Sequence, residues 1–189
     1  MNRVSTSVWF GERTGKVYFR HMALPREYTT QNCPIARSLE IVGERWTLLI
    51  LRDAFYGVRR FSDFQVHLGI PKAVLAQRLA LLTDEGVLVA EAAEYTLTRK
   101  GLSLWPVLDS LAQWGGEHYL KADYRRTFDH ADCGGRVVGG RCSDCGDRPD
   151  VADLITVAPR RSRVRRDDRV SVALQRPHRM LEPLTPVAT

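Results

Sequence analysis

The chain has 189 residues, 44% hydrophobic and 26% charged, with a formal net charge of +6. These fractions suit a soluble globular protein of one domain with accessories, or two small domains. No run approaches the roughly 18 apolar residues of a membrane span, and the N-terminal stretch lacks the apolar core of a secretory signal. Four cysteines are too few for a disulfide-stapled scaffold, so a cytoplasmic protein is the expectation. The charge is +3 over residues 1–29, zero over 30–122, −2 over 123–158 and +5 over 159–189. A polyanionic partner must therefore be argued from local placement of charge, not from its total.

Residues 1–29 show no sustained periodicity. Met22-Ala23-Leu24-Pro25 offers an alternative start. Residues 1–21 are then either an upstream extension or the site of a short strand around Val17–Arg20, and lie outside the expected core.

Pro34 suits a first helical turn, and Ile35, Leu39 and Val42 recur at helical spacing until Gly43. A second helix is expected from about Glu44 through Trp46, Leu48, Leu49, Ile50 and Leu51 to Gly57. It is apolar nearly all round and should be central. Trp46 reads as core. Phe61, Phe64 and Leu68 predict a third helix ending at Gly69, and Leu75, Leu79 and Leu82 line a fourth between Pro71 and Gly86. The period then changes: Val87–Val89 and Tyr95–Thr98 read as strands around a tight turn at Ala92-Ala93. A last helix after Gly101 carries Leu104, Val107, Leu108, Leu111 and Trp114 on one stripe. The class is mainly α (α+β): a winged helix-turn-helix over 30–122 with a C-terminal dimerisation helix.

In 123–158, His130-Ala-Asp-Cys133-Gly and Cys142-Ser-Asp-Cys145-Gly repeat a ligand-x-x-ligand-Gly unit. Two such knuckles aim four N/S ligands at one point, the donor set of a closed structural Zn²⁺ site. One zinc per chain on His130, Cys133, Cys142 and Cys145 is expected; a loose cluster of reduced thiols is the alternative. The segment has too few apolar residues to fold unaided, so the metal would supply folding energy. Residues 159–189, rich in Arg and Pro, read as a disordered basic tail.

Residues 33–114 closely resemble the HxlR-like family of bacterial winged-helix transcription regulators, relatives of MarR. The resemblance is carried by Cys33-Pro34-Ile35-Ala36, Gly43-Glu44-Arg45-Trp46-Thr47-Leu48-Leu49-Ile50-Leu51-Arg52-Asp53 and Arg60-Phe61-Ser62-Asp63-Phe64. It continues in Val74-Leu75-Ala76-Gln77-Arg78-Leu79, Tyr95-Thr96-Leu97-Thr98-Arg99-Lys100-Gly101 and Pro106-Val107-Leu108. It implies a homodimeric regulator of double-stranded DNA, often a repressor on palindromic operators, without catalytic activity. The chain departs from the family at Ala90-Glu91-Ala92-Ala93-Glu94, where many members have a longer, more basic turn. Two glutamates there would repel phosphate.

The residues themselves offer a DNA-binding surface. Opposite Leu75, Leu79 and Leu82, the fourth helix turns out Ala73, Ala76, Gln77 and Ala80, flanked by Lys72 and Arg78. Gln can pair with an adenine edge, while Lys and Arg reach guanine or phosphate. Arg59, Arg60 and Ser62 stand at the start of the third helix, whose N-terminus favours phosphate, and Arg99 and Lys100 follow the second strand. The competing reading is a winged-helix protein-interaction module that binds no duplex. An enzyme fares worst, since no Ser/His/Asp set, paired acids or phosphate loop is present. The long stripe Leu104, Val107, Leu108, Leu111 and Trp114 exceeds what one small domain must cover, and predicts a dimer seam. Cys33, at the N-cap before Pro34, is a candidate redox sensor by the family resemblance and by the helix dipole that favours a thiolate there; a small packed residue is the alternative.

Overall fold

The computed structural model describes residues 32–121, 124–159 and 166–185. The expectations for residues 1–29 and for the arginines between 160 and 165 lie outside the described residues.

Helix α1 (Pro34–Val42) opens on the expected proline and ends at Gly43. Helix α2 (Thr47–Phe55) starts three residues later than its apolar run, because Gly43 to Trp46 form the turn between the helices. Ile50, Leu51 and Phe55 are fully buried on α2. Helix α3 (Phe61–Leu68) buries Phe64 and stops at Gly69 in the left-handed region. Helix α4 (Lys72–Asp84) follows Pro71 and buries Leu75, Leu79 and Leu82 completely. Full burial of each such side chain contributes about 1.5–3 kcal/mol, and the i, i+4, i+7 spacing puts all three on one face of α4.

Strands β1 (Leu88–Glu91) and β2 (Glu94–Leu97) form the wing, in antiparallel register from Leu88 opposite Leu97 to Glu91 opposite Glu94. The connecting Ala92 and Ala93 both have positive φ, as a two-residue turn matched to strand twist requires. An Arg60–Glu94 bridge, with the Tyr95 amide donating to the Arg59 carbonyl at 2.8 Å, adds the segment before α3 to the wing sheet. The helix expected after Gly101 is broken into α5 (Arg99–Leu102), capped by the Thr98 hydroxyl, and α6 (Trp105–Tyr119). Pro106 sits in the first turn of α6, where its missing N–H leaves no helical bond unmade.

The C-terminal half is more ordered than its composition suggests. Strands β3 (Thr127–His130), β4 (Arg136–Val138), β5 (Arg141–Cys142), β6 (Leu154–Val157) and β7 (His178–Arg179) form one antiparallel sheet in the order β5-β4-β3-β6-β7. Helix α7 (Arg169–Ala173) precedes β7 and is capped by Asp168, which accepts from the Ser171 amide at 2.9 Å. The reading of 159–189 as a disordered tail is thus corrected for residues 166–185. Charge density concealed Val170, Leu174 and Met180, which are buried in the same core as Phe55 and Leu154. One of the arginines there is anchored to α3: Arg169 Nε donates to Asp63 Oδ1 at 2.7 Å and its Nη2 to the Ser62 hydroxyl at 2.9 Å.

This segment straps the two halves together. The Leu181 amide donates to the Phe55 carbonyl and the Leu184 amide to the Gly57 carbonyl, each at 2.9 Å. Gly57 has φ +84°, and a Cβ there would collide with the Glu182 backbone. Trp105 continues the junction, its ring 5.1 Å from Phe55 and 5.3 Å from Phe128.

Candidate nucleic-acid interface and metal centre

On α4, the side opposite the buried leucines exposes Lys72, Ala73, Ala76, Gln77 and Ala80. This surface is shallow and carries one amide. The flanking cations are less available than their sequence positions suggest. The Arg78 side chain is only 12% exposed and pairs with Glu44 at 3.3 Å, so it braces the α1–α2 turn instead of standing beside Gln77. Arg59 and Arg60 lie 3.8 and 3.4 Å from the two carboxylate oxygens of Glu94. Arg59 also donates to the Leu181 carbonyl at 3.1 Å. Lys100 donates to the Glu85 carbonyl at 2.5 Å, and Ser62 is held by Arg169. Lys72 and Arg99 are exposed and make no ion pair among the described residues.

In the sequence Glu91 and Glu94 mark an acidic turn and nothing points to Glu94 as a site residue. Their direct pairing across the wing leaves its tip without a base, while Glu94 holds the two arginines at the root of α3. Behind α3 lies a second network that sequence reasoning missed. Fully buried Asp53 accepts from Arg52 Nε and Nη2 at 2.9 and 2.7 Å on Oδ1, and meets His67 Nδ1 at 2.7 Å on Oδ2. This ties α2 to α3. The adjacent Arg-Asp pair gave no sign that His67, 14 residues away, completes it.

The apolar stripe on the last helix divides. Leu108 is buried in the chain's own core, and Leu104 is half-buried against it. Val107, Leu111 and Trp114 are 54%, 47% and 52% exposed. Ile35 and Leu39 on α1 are exposed as well. Cys33 occupies the N-cap of α1, half-buried, and makes no side-chain cap hydrogen bond.

His130, Cys133, Cys142 and Cys145 converge at one end of the C-terminal sheet, their ligand atoms all within 4.8 Å of one another. His130 Nδ1 is 3.4 Å from Cys133 Sγ and 3.3 Å from Cys145 Sγ. Cys133 Sγ is 3.4 Å from Cys142 Sγ and 3.7 Å from Cys145 Sγ. Zn–S and Zn–N bonds of about 2.3 and 2.0 Å at tetrahedral angles give ligand separations of about 3.5–3.8 Å. The donor set and its spacing fit such an ion. Glycines 134 and 146, each directly after a cysteine, take positive φ, which lets the two knuckles close on Gly134 N–H to His130 O and Gly146 N–H to Cys142 O bonds. Backbone hydrogen bonds involving Cys145 and Asp144 lower the Cys142 thiol pKa to about 6. At Cys145 the Asp147 backbone hydrogen bond is outweighed by burial and the neighbouring thiols, which push it up to about 12, so of this pair only Cys142 favours the thiolate before a metal arrives. Asp132 Oδ2 lies 3.7 Å from the other ring nitrogen of His130, where a carboxylate commonly orients a metal-bound histidine.

Residues 41–123 match the HxlR-like helix-turn-helix family. The chain is similar to the uncharacterised HTH-type transcriptional regulator Rv3095 of Mycobacterium tuberculosis, 39% identical over 127 residues, covering 60% of this chain and 77% of that one. The uncharacterised HTH-type transcriptional regulator YvaP of Bacillus subtilis is 32% identical over 97 residues, covering 47% and 90%. Among solved structures, that of PA1607, a candidate transcription factor, aligns with a TM-score of 0.52 and 35% identity over 72% of this chain and 96% of that one.

Proposed function

This chain belongs to the HxlR-like helix-turn-helix family and is a DNA-binding transcription regulator, and from that premise we propose that it acts as a homodimer that places α4 in the major groove of each half of a palindromic operator. The observation that carries this reading is the exposed surface of Lys72, Ala73, Ala76, Gln77 and Ala80, small enough for close approach and bearing one side chain that can read a base edge. Lys72 and Arg99 are the first phosphate contacts. Arg60 joins them by leaving Glu94, a 3.4 Å pair on an exposed arginine that holds it weakly. The wing tip, with Glu91 and no cation, takes no part in gripping the minor groove.

The dimer forms through Val107, Leu111 and Trp114 of α6, whose exposure is unusual for large apolar side chains on one helix. Two copies joined there present two copies of α4, as a two-fold operator requires. Occupying a promoter in this way represses it. The His130, Cys133, Cys142 and Cys145 cluster holds one structural zinc; with all four positions taken by protein ligands, none is left for catalysis. The ion would fasten β3 to β5 and so keep the sheet on which α7 and the strap rest.

A salt titration of full-length protein on its own upstream promoter tests the DNA reading. Phosphate contacts predict a log–log slope of about −0.9 per contact. A flat salt dependence would favour a protein-interaction module.

A further inference from the structure

Between α2, α3 and α6 on one side and β3, β4 and α7 on the other lies an open cleft of about 980 Å³. Its size reaches the upper end of ordinary small-molecule sites, about 300–1,000 Å³. Two neighbouring arginines, Arg125 and Arg126, line it together with Tyr56, Phe128, Val137 and Leu174. The Arg126 guanidinium lies 5.1 Å from the Tyr56 ring centroid and donates to Thr156 Oγ1 at 3.2 Å and the Leu174 carbonyl at 3.0 Å. All three partners are neutral. Arg125 donates to the Leu120 carbonyl at 3.3 Å, and its Nε is buried without a partner among the described residues.

Other arginines of the cleft are neutralised. Arg52 is taken up by Asp53, and Arg136 meets Asp129 at 2.7 Å. Arg125 and Arg126 make no ion pair with a carboxylate among the described residues; burial works against the charge of Arg126, which feels Arg52 and Asp53 only beyond ion-pair distance. Asp109 and Glu117 also line the cleft; Gln113 donates to Asp109 at 2.6 Å and burial raises its pKa, while Glu117 makes no ion pair with either arginine among the described residues. An oxyanion would supply what the guanidiniums lack, since two oxygens of a carboxylate or sulfonate can meet their N–H donors. Phe128, Val137 and Leu174 offer an apolar wall to whatever carries that anion.

We propose that this cleft binds a small organic anion, a carboxylate or sulfonate on an aromatic body, with the anionic group on Arg125 and Arg126 and the ring against Phe128, Val137 and Leu174. The site stands independently of the DNA reading, because binding is measured without DNA. Calorimetric titration of the full-length protein with 1-naphthoate tests it, with 1-naphthamide as the neutral counterpart. Naphthoate should bind and naphthamide should bind at least about tenfold more weakly, the factor expected when a charge-assisted hydrogen bond is lost. Arg125→Gln and Arg126→Gln should each lower naphthoate affinity about tenfold or more, whereas Arg148→Gln, in the exposed part of the C-terminal region, should leave it unchanged. Arg126 also braces β6 and α7, so Arg125→Gln, whose side chain holds only the Leu120 carbonyl, is the deciding variant. Absence of naphthoate binding, equal affinity for acid and amide, or unchanged affinity in Arg125→Gln would overturn the proposal.

Discussion

Residues 32–121 bury Ile50, Leu51, Phe55, Phe64, Leu75, Leu79 and Leu82 completely, all on helices whose apolar positions repeat at 3–4 residues. The described residues of 124–159 and 166–185 bury fewer large apolar side chains: Leu154, Val170, Leu174 and Met180, and these join the core of the first half. What the second half has instead is four ligands drawn together at one end of its sheet and a strap that follows α2 and α3 at the other. One half can be held by its own apolar core. If the cluster holds zinc as proposed, the other is fastened at each end and should lose its structure first when either fastening is removed.

The largest effect should come from the metal end. Cys142→Ser with Cys145→Ser should abolish a zinc content of about one per chain and unfold the C-terminal sheet, because a structural ion supplies folding energy to a small domain. Hydrogen exchange should show β3–β6 losing protection while α2 and α4 keep theirs. Equal loss in both halves would make them a single cooperative unit and erase the distinction drawn above.

A several-fold effect is expected where charges on the winged half are already paired. Glu94→Gln should release Arg59 and Arg60 and remove a carboxylate that faces the duplex, tightening promoter binding by about two- to fivefold, the range for a weak exposed pair. Gel-shift titration at fixed salt measures it. Weaker binding in the variant would mean that Glu94 positions the arginines for DNA instead of withholding them.

The smallest effect is local to the strap. Burial works against the charged form of Asp168, but the hydroxyl and amide of Ser171 outweigh it and hold the carboxyl below its ordinary value. Its capping contribution is complete above about pH 4, the ordinary carboxyl pKa, and is lost as pH falls through the lower folded value. Exchange of the α7 amides should therefore accelerate below about pH 4 in the wild type and be insensitive to pH there in Asp168→Asn, after correction for intrinsic rates.

The same contrast explains what could be read in advance. The winged half was legible because α1 to α4 each carry their own period and stop at or just before a glycine, and because Ala92-Ala93 separates two short alternating runs. The two knuckles were legible from spacing alone. The fold of residues 166–185 was not, since Val170, Leu174 and Met180 are scattered among arginines and gain meaning only from Asp63, Ser62 and Phe55 more than a hundred residues away. Arg78 misled for a related reason. Helical geometry gives its direction but not the presence of Glu44, which turns it toward the core of the domain. Long-range pairing of charge is invisible to a count of charge.

Recognition of an operator as proposed requires α4 to be the reading helix. Selection of bound sequences from a randomised duplex pool, run in parallel on wild type and Gln77→Ala, tests that claim most directly. Gln77→Ala should relax preference at one base position in each half-site, with a loss of discrimination of about 1–3 kcal/mol there and the remaining positions unchanged. Identical sequence profiles for the two proteins would contradict it.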